Sequence, residues 1–435
     1  MNKTITITLA VILQTVSAHF FSQTLVTNGA TLFVNSGGIL ACNGGLSITN
    51  ASQITNNGDV FVTKNSTNLL PGTLTNNTAS NLSGNGIYKV EQDWINDAIF
   101  SAGASTVNLY GNTEQFITST NNTISEFNNL ILTGNGTGNN RKKTLQNVNA
   151  RISVTGQLTL NDRECSTQTN DLSVLNPSNG AITNSLVFGN EGFVSSDIPG
   201  YLLWATNSTN AYNFPVGSSN GTLRYRAAIL QPSSSVANQY AVRMNNVIAD
   251  NDGYFLSQHD ADVSAANTLF YHSIEQTSGA TKADVTLTYF AATDGDWANM
   301  AHWTDNTSMW NDMGTTFLGA QTYSSVQKAS WDFSDGYQPF VLTNINVELI
   351  IPNVFTPNND GANDSYFVTA KGITEYNITI LNRWGDVVFE SNDITKQWDG
   401  TTGGILCTEG TYFYFIKAKS ASKDFLKQGH ITLNY

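Results

Sequence analysis

Short stretches of alternating apolar and polar residues recur along the first 200 residues, separated by turns rich in Asn, Gly and Ser. Examples are "GGLSITN" (44–50), "GDVFVTK" (58–64), "STVNLYG" (105–111) and "NNLILTG" (128–134). Alternation with period two buries one face of a strand, but strands this short must stack on or pair with neighbours to be stable. Residues 23–200 are therefore predicted to form a β-solenoid-like region with coils of irregular length, in which Asn side chains form ladders at the turns. One or two β-sandwiches with long loops are the alternative.

Composition extends the β prediction to the whole chain. Charged residues make up 12% of the 435 residues, hydrophobic residues 40% and aromatic residues 11%. The rest is dominated by Thr, Ser, Asn and Gly, which favour strands and the turns between them. The aromatic content is too high for a disordered chain, and the length suggests about two to four domains. We therefore predict an all-β protein of several domains.

The charge balance excludes one class of partner. The chain has 20 Lys and Arg against 33 Asp and Glu, a net charge of −13. No basic stripe offsets the repulsion that phosphate groups would meet. We expect neither nucleic acid nor an anionic membrane surface as a partner.

The N-terminus has the features of an export signal. Lys3 precedes an apolar run (5–16), and "VSA" (16–18) fits a small-residue cleavage site. We predict a signal peptide over residues 1–22. A buried N-terminal strand is the alternative, because "TITITLAV" alternates. No later stretch approaches 18 apolar residues, so no transmembrane segment is expected.

The three cysteines are too few and too widely spaced for a disulfide framework or a thiolate zinc site. They are Cys42, Cys165 and Cys407. We expect small buried side chains, and a single bridge between two of them stays open.

The composition and the spacing of turns in the sequence change near residue 200. Residues 201–347 contain longer loops and more aromatics, and we predict a middle β-sandwich domain there. Trp297, Trp303 and Trp310 lie in one short segment. Packing in the core is the expected role of these rings, with stacking on sugar rings as the alternative.

The last segment, residues 348–435, reads as a small domain of immunoglobulin-like β-sandwich type. "YNITILNRWGDVVFES" (376–391) predicts a hairpin, with Gly385 supplying the backbone freedom of its turn. "TYFYFIKAKS" (411–420) predicts a strand whose aromatics fill a core. "KDFLKQGHITLNY" (423–435) is expected to add the final strand.

A dense Asn/Asp loop, "PNNDGAND" (357–364), opens this domain. Asn358, Asp360 and Asp364 offer oxygen ligands of the kind calcium prefers, so they form a candidate calcium site. The spacing does not match an EF-hand loop. The alternative is that the Asn and Asp side chains cap their own turn.

These blocks also carry a resemblance to a known family. "PNVFTPNNDGANDSYF", "ITILNRWGDVVFES", "WDGT", "GTYFYFI" and "GHITLNY" occur in the order found in the gliding-motility-associated C-terminal domain. That family is similar to the type B sorting signal of the type IX secretion system. Asn359 stands where glycine is commoner in the family. The residues that match the sorting motif are Pro357, Asn358, Asp360, Gly361, Asp364, Asn382, Arg383, Trp384, Gly385, Trp398, Asp399 and Gly400.

The resemblance implies recognition by the outer-membrane type IX secretion machinery, and secretion or display at the cell surface by way of the periplasm. The N-terminal part, in stretches such as "EFNNLILTG" and "ISVTGQLTLN", also resembles large secreted surface proteins of gliding bacteria. Surface glycans or other cells are the expected further partners.

No catalytic constellation is found in the sequence. There is no HExxH, GxSxG or P-loop, and the charged clusters of the first 200 residues are "NRKK" (140–143), expected to be a solvated loop, and "DRE" (162–164). We therefore expect a non-catalytic, adhesin-like surface protein without a cofactor other than calcium. A secreted carbohydrate-binding or carbohydrate-active β-solenoid protein is the alternative.

Overall fold

The protein is nearly all β. A computed structural model describes residues 19–21, 23–67, 69–119, 125–146, 152–305, 307–320, 322–334, 338–373, 375–420 and 424–435. Strands make up 53% of the structure and helices 3%, which confirms the all-β prediction. The predicted signal peptide lies outside the described residues except for positions 19–21. No described helix has the length and apolar character needed to cross a membrane.

The first part of the chain is a series of very short strands. They are β1 (His19–Phe21), β2 (Leu25–Asn28), β3 (Thr31–Val34), β4 (Ile39–Asn43), β5 (Leu46–Thr49), β6 (Gln53–Asn56), β7 (Asp59–Thr63), β8 (Leu74–Asn76), β9 (Asn81–Ser83), β10 (Ile87–Val90), β11 (Trp94–Asn96), β12 (Ile99–Ser101), β13 (Thr106–Leu109), β14 (Gln115–Thr118), β15 (Ser125–Phe127), β16 (Asn129–Leu132), β17 (Lys142–Gln146), β18 (Ile152–Val154), β19 (Leu158–Asn161), β20 (Glu164–Gln168), β21 (Leu172–Val174), β22 (Ile182–Asn184), β23 (Phe193–Ser196) and β24 (Leu202–Thr206). A 3-10 turn, Gly138–Arg141, precedes β17.

These strands form stacks in which each strand pairs in parallel with the strand three positions along the chain. One sheet has the order β1-β4-β7-β10-β13-β16-β19-β22, and a second has β2-β5-β8-β11-β14-β17-β20-β23. The third side is built by β3, β6, β9 and β12, and then by β15, β18, β21 and β24. Each coil of the chain thus contributes one strand to each of three sides. The parallel pairing of successive coils differs from the antiparallel pairing that the alternative, a β-sandwich, would have.

Register places one inward residue of each coil on the equivalent residue of the next. In the first sheet the successive partners are Leu40, Val60, Tyr88, Val107, Leu130, Leu158 and Ile182, all of them buried. The three sides meet in the centre of the coil, where Tyr88, Trp94 and Phe100 pack with ring centroids 5.0–6.1 Å apart. A strand of three to five residues can bury only two or three side chains, so the continuous column supplies the core that no single coil has.

Polar side chains at the corners also repeat from coil to coil. The amide nitrogen of Asn76 donates to the side-chain oxygen of Asn96 at 2.8 Å, and the amide nitrogen of Asn96 donates to Ser125 Oγ at 3.2 Å. Asn76 and Asn96 are fully buried. This chain of hydrogen bonds, of the kind expected for an Asn ladder, links successive coils and helps to satisfy polar groups that water does not reach.

The middle region continues the chain, and six of its strands have six to eight residues. The strands of this region are β25 (Tyr212–Phe214), β26 (Gly217–Ser218), β27 (Arg224–Tyr225), β28 (Ala228–Pro232), β29 (Asn238–Asn245), β30 (Val263–Ala266), β31 (Tyr271–Ser278), β32 (Ala283–Tyr289), β33 (Asn299–Thr304), β34 (Met309–Asp312), β35 (Thr316–Ala320), β36 (Ser324–Trp331) and β37 (Gln338–Ile345). A short helix, α1 (Ala291–Asp294), and a 3-10 turn, Ala249–Asp252, lie between them.

The third side of the coiled stack runs directly into this region. β24 pairs in parallel with β21 and in antiparallel with β29, so one sheet continues as β15-β18-β21-β24-β29-β31-β37-β33-β34. A five-stranded sheet, β25-β28-β32-β36-β35, packs against it over a shared hydrophobic core. The middle region therefore consists of two packed sheets. The predicted boundary at residue 200 falls in the turn before β24, and the sheet that contains β24 continues on both sides of it.

The tryptophans singled out in this region have structural roles, as does a buried aspartate near them. Trp303 and Trp310 are buried and pack edge to face, and Trp297 is partly buried against the main core. Asp294 is also buried and forms a two-point ion pair with Arg226, one bond of which measures 2.7 Å. These contacts agree with the core-packing expectation for the tryptophans.

The C-terminal domain has its own core. Its strands are β38 (Glu348–Ile350), β39 (Val354–Phe355), β40 (Thr369–Lys371), β41 (Glu375–Leu381), β42 (Val387–Ser391), β43 (Thr401–Thr402), β44 (Ile405–Leu406), β45 (Gly410–Lys419) and β46 (Asp424–Leu433). A five-stranded sheet, β39-β46-β45-β41-β42, carries most of the domain, and β38-β40 and β43-β44 form two short pairs. Its buried residues form a cluster separate from the main core.

Replacing Leu130 with alanine should lower the free energy of unfolding by about 2–5 kcal/mol, because a cavity would open in the column between Val107 and Leu158. Urea denaturation of the purified protein followed by circular dichroism measures the change. Leu186→Ala is the matched control, since Leu186 is 63% exposed and should lose little. Equal losses in the two variants would contradict the stacked core.

Candidate functional site

The Asn/Asp loop that opens the C-terminal domain closes on its own hydrogen bonds. The carboxylate of Asp364 accepts the backbone N–H of Asn359 at 2.6 Å and that of Gly361 at 2.8 Å. Asp360 accepts the N–H of Ala362 at 2.8 Å, and Asn358 accepts that of Asp360 at 3.1 Å. Asn359 and Gly361 have positive φ, a conformation that Asn and Gly adopt most readily. Asn359 therefore suits the position where the family more often has glycine.

The same bonds occupy the oxygens of the candidate calcium site. The second carboxylate oxygen of Asp360 accepts the side-chain amide of Asn358 at 3.0 Å. Every side-chain oxygen of Asn358, Asp360 and Asp364 thus has a donor within the loop. Over the described ranges, no group of three His, Cys, Asp or Glu is placed to hold a metal ion. The geometry favours the turn-capping alternative for this loop.

Trp398 anchors this loop to the rest of the domain. It is buried, and its backbone exchanges two hydrogen bonds with Tyr366, of 2.7 and 2.8 Å. Its ring lies 5.1 Å from the rings of both Phe355 and Tyr412, and its Nε1 donates to Thr401 O at 2.9 Å. The indole ring therefore joins the strands of Phe355 and Tyr412 to the turn at 398–401, and loss of the ring would remove these contacts.

Asp399 and Gly400 form the tight turn after this tryptophan. Asp399 accepts the hydroxyl of Thr401 at 2.8 Å and its backbone N–H at 2.9 Å, and these bonds hold the pKa of Asp399 below its usual range. Gly400 has a φ of 79°, and a Cβ there would lie 3.0 Å from both Leu433 and Pro357. A side chain at this position would push the opening loop away from the last strand.

The hairpin "NRWGD" (382–386) is built differently, because its largest side chain points into solvent. The side-chain oxygen of Asn382 accepts the backbone N–H groups of Trp384 and Asp386, both at 2.9 Å. Gly385 completes the turn with a φ of 88°. Trp384 itself is 83% exposed. The turn is held by Asn382, and no described contact of the fold needs the indole.

A shallow groove of about 570 Å³ lies beside this hairpin on the outer face of the five-stranded sheet. Leu381, Arg383, Phe413, Phe415 and His430 contribute to its lining. Phe413 is 45% exposed and Phe415 43% exposed. The expectation that all aromatics of "TYFYFI" fill a core is therefore wrong: alternation in β45 sends Tyr412 inward and these two rings outward.

Comparison with known families identifies the domain. Residues 349–433 match the family model of the CHU_C type IX secretion signal domain. The C-terminal domain is a type IX secretion signal domain. No curated protein and no solved structure gives a significant match to the chain. The signal domain implies interaction with the type IX secretion machinery, and secretion or a location at the cell surface.

The predicted motif residues of the signal domain fall into two groups. Pro357, Gly400 and Trp398 come together in one packed corner with the capped loop of Asn358, Asp360, Gly361 and Asp364. Asn382, Arg383, Trp384 and Gly385 form the exposed hairpin. Sequence reasoning missed the groove residues Leu381, Phe413, Phe415 and His430. The alternation of side chains along β41, β45 and β46 could have identified them, because it places these residues on one face of the sheet.

The charged clusters of the first 200 residues also depart from expectation. Arg141 and Lys143 are buried, so the prediction of a solvated "NRKK" loop is wrong for these residues. Lys143 Nζ donates to Gly111 O at 2.9 Å, and burial lowers its pKa to about 7. β17 pairs with β20, which brings this cluster beside "DRE". The three cysteines are buried, as expected, and all three are free, so the bridge left open by the sequence is not formed.

Replacing Asp364 with alanine should lower the free energy of unfolding of the signal domain by about 1–3 kcal/mol, because two backbone N–H groups lose their acceptor. EDTA should leave the melting temperature of the parent protein unchanged, since the loop supplies its own donors. Differential scanning calorimetry measures both effects. Asp424→Ala, at an exposed strand position, is the matched control. A large fall in melting temperature with EDTA, restored by calcium, would establish the cation site instead.

Proposed function

We propose that this chain is a non-catalytic, adhesin-like protein that the type IX secretion system exports from the periplasm to the cell surface. The observation that carries the proposal is the signal domain at residues 349–433. Its separate core supports a module that folds independently of its cargo. The export signal predicted at residues 1–22 would bring the chain to the periplasm first.

The remainder of the chain suits a structural cargo. We propose that the coiled parallel stack is a β-solenoid that acts as a spacer or adhesive stalk, and that the middle sandwich is the contact domain at its end. Each coil adds a strand to each side without changing the cross-section, so length can grow by repetition. The few charges and many hydroxyl and amide groups would give this stalk a polar, weakly charged surface.

Within the signal domain, we propose that the machinery contacts the exposed hairpin and the neighbouring groove. Trp384 is 83% exposed although tryptophan is usually buried, and the turn does not need its ring. Tryptophan and arginine are enriched in the residues that dominate protein interfaces. The adjacent groove adds Phe413 and Phe415, so an aromatic surface would form one continuous contact.

Removal of residues 350–435 should leave the rest of the protein folded but retained in the periplasm. The main core contains no residue of the signal domain, which is why the truncated chain should keep its structure. Fractionation of a tagged protein among periplasm, surface and medium measures the effect. A periplasmic reporter fused to residues 348–435 should be exported, and the unfused reporter is its control. Normal export of the truncated chain would refute the sorting role.

Replacing Trp384 with alanine should reduce export at least several-fold without changing the melting temperature. The exposed indole contributes little to folding, while loss of an interface tryptophan commonly weakens binding by 10-fold or more. Ile405→Ala is the matched control, because Ile405 is 73% exposed on the separate β43-β44 pair. Export of the Trp384 variant at the level of the parent would place the contact elsewhere on the domain.

A further inference from the structure

A polar cleft lies where the coiled stack meets the middle region. The sheet formed by β17, β20 and β23 turns Cys165 and Val194 into the core, so Glu164, Ser166 and Ser195 face outward. A segment after β26, which includes Ser219, reaches over this outer face. The two surfaces enclose a cleft of about 390 Å³. This volume is near the lower end of the range for small-molecule sites, which is about 300–1,000 Å³.

The cleft contains a buried carboxylate with an unused oxygen. Glu164 is 2% exposed, and its Oε1 accepts the hydroxyl of Ser195 at 2.7 Å. Among the residues that the structure describes, none donates a hydrogen bond to its Oε2. Ser219 Oγ likewise has no hydrogen-bond partner among them. Buried polar atoms normally have partners, and an unsatisfied one costs about 1–3 kcal/mol or more when charged. These two atoms therefore offer hydrogen-bonding capacity to a molecule in the cleft.

The guanidinium of Arg141 offsets part of the charge of Glu164 without bonding to it, and that of Arg163 is bound elsewhere. Arg141 donates to the backbone oxygens of Asp162 and Glu191. Arg163 donates to Gly136 O at 2.6 Å and forms an ion pair with Asp162. Both groups are thus held in place by other acceptors. Because positive charge is already present close to the carboxylate, a ligand needs hydroxyl donors here rather than a further positive charge.

The rim of the cleft adds hydrogen-bond donors to the acceptors already described. Lys142 lies opposite Glu164 on the neighbouring strand, Asn139, Gln168 and Asn220 contribute amides, and Asp197 adds a second carboxylate. The lining therefore mixes donors and acceptors at short range. A sugar hydroxyl donates one hydrogen bond and accepts others, so it suits this mixed lining. A metal ion suits it less well, because Lys142 lies among the oxygens and no group of three His, Cys, Asp or Glu in the described part of the chain is placed to hold one.

We propose that this cleft binds the hydroxyl groups of a neutral carbohydrate, with Glu164 as the central acceptor. The inference rests on the adhesive role proposed above and gives that role a ligand class. The carbohydrate is either part of a cell-surface polysaccharide or a free oligosaccharide, because both present the same hydroxyl chemistry. Glu164 acts as a binding residue, and no reaction is involved.

The test is binding of the purified protein to an array of neutral oligosaccharides built from glucose, mannose, galactose and xylose. The strongest binder is then titrated by calorimetry, as the free oligosaccharide and as its polymer. Glu164→Gln should weaken binding about 10-fold or more, because an acceptor becomes a donor while the bond from Ser195 is kept. Ser219→Ala should weaken binding several-fold. Glu126→Gln, at an exposed position of β15, is the matched control and should bind like the parent.

Melting temperatures of all variants establish that each is folded before its binding is measured. Binding lost in Glu164→Gln and kept in Glu126→Gln supports the site, and preference for polymer or free sugar identifies the source. Absence of binding to every oligosaccharide, or equal binding by Glu164→Gln and the parent, overturns it. A rise in melting temperature with calcium alone that Glu164→Gln abolishes would overturn it as well. The export assay does not depend on this cleft, so failure here and failure of the proposed export are distinguishable.

Discussion

The structure of the first 200 residues depends on the exact register between parallel strands of successive coils. No coil has enough inward side chains for a core of its own, and the column from Leu40 to Ile182 exists only because equivalent residues lie directly above one another. A shift of one residue would turn every inward side chain outward. The buried Asn ladder reinforces the same register, since its amides reach their partners only when the coils are aligned.

The signal domain builds its hydrophobic core in another way. It gathers a small aromatic cluster around Trp398 and uses short capped turns in place of repetition. Its motif residues therefore divide according to their surroundings. The residues near Trp398 maintain the shape, and the hairpin with Trp384 presents a side chain that the fold does not require. Recognition by a large machine is consistent with this division, because a rigid frame holds an exposed aromatic in a defined position.

Much of this architecture could be predicted from the sequence, for reasons that are local. Alternation with period two identified the short strands, and the ordered blocks of the last 85 or so residues identified the signal domain. Features that depend on distant contacts could not be predicted. The charged residues of "NRKK" look solvated in sequence, yet the neighbouring coil buries Arg141 and Lys143 against backbone oxygens. The polar cleft likewise requires a segment more than 50 residues away from Glu164. The outward rings of β45 show a further limit: a run of consecutive aromatics does not indicate which face is covered.

The continuous sheet from β21 through β24 to β29 affects how a protein outside the cell would resist mechanical force. β24 joins a parallel neighbour on one side and an antiparallel neighbour on the other, so the backbone bonds of the stack are continued into the sandwich. The last coil on this side therefore has no unpaired edge strand with which a strand of a second molecule could pair. A mechanical force along the molecule would therefore act on several backbone hydrogen bonds of this junction at once. It would not act on a single flexible linker.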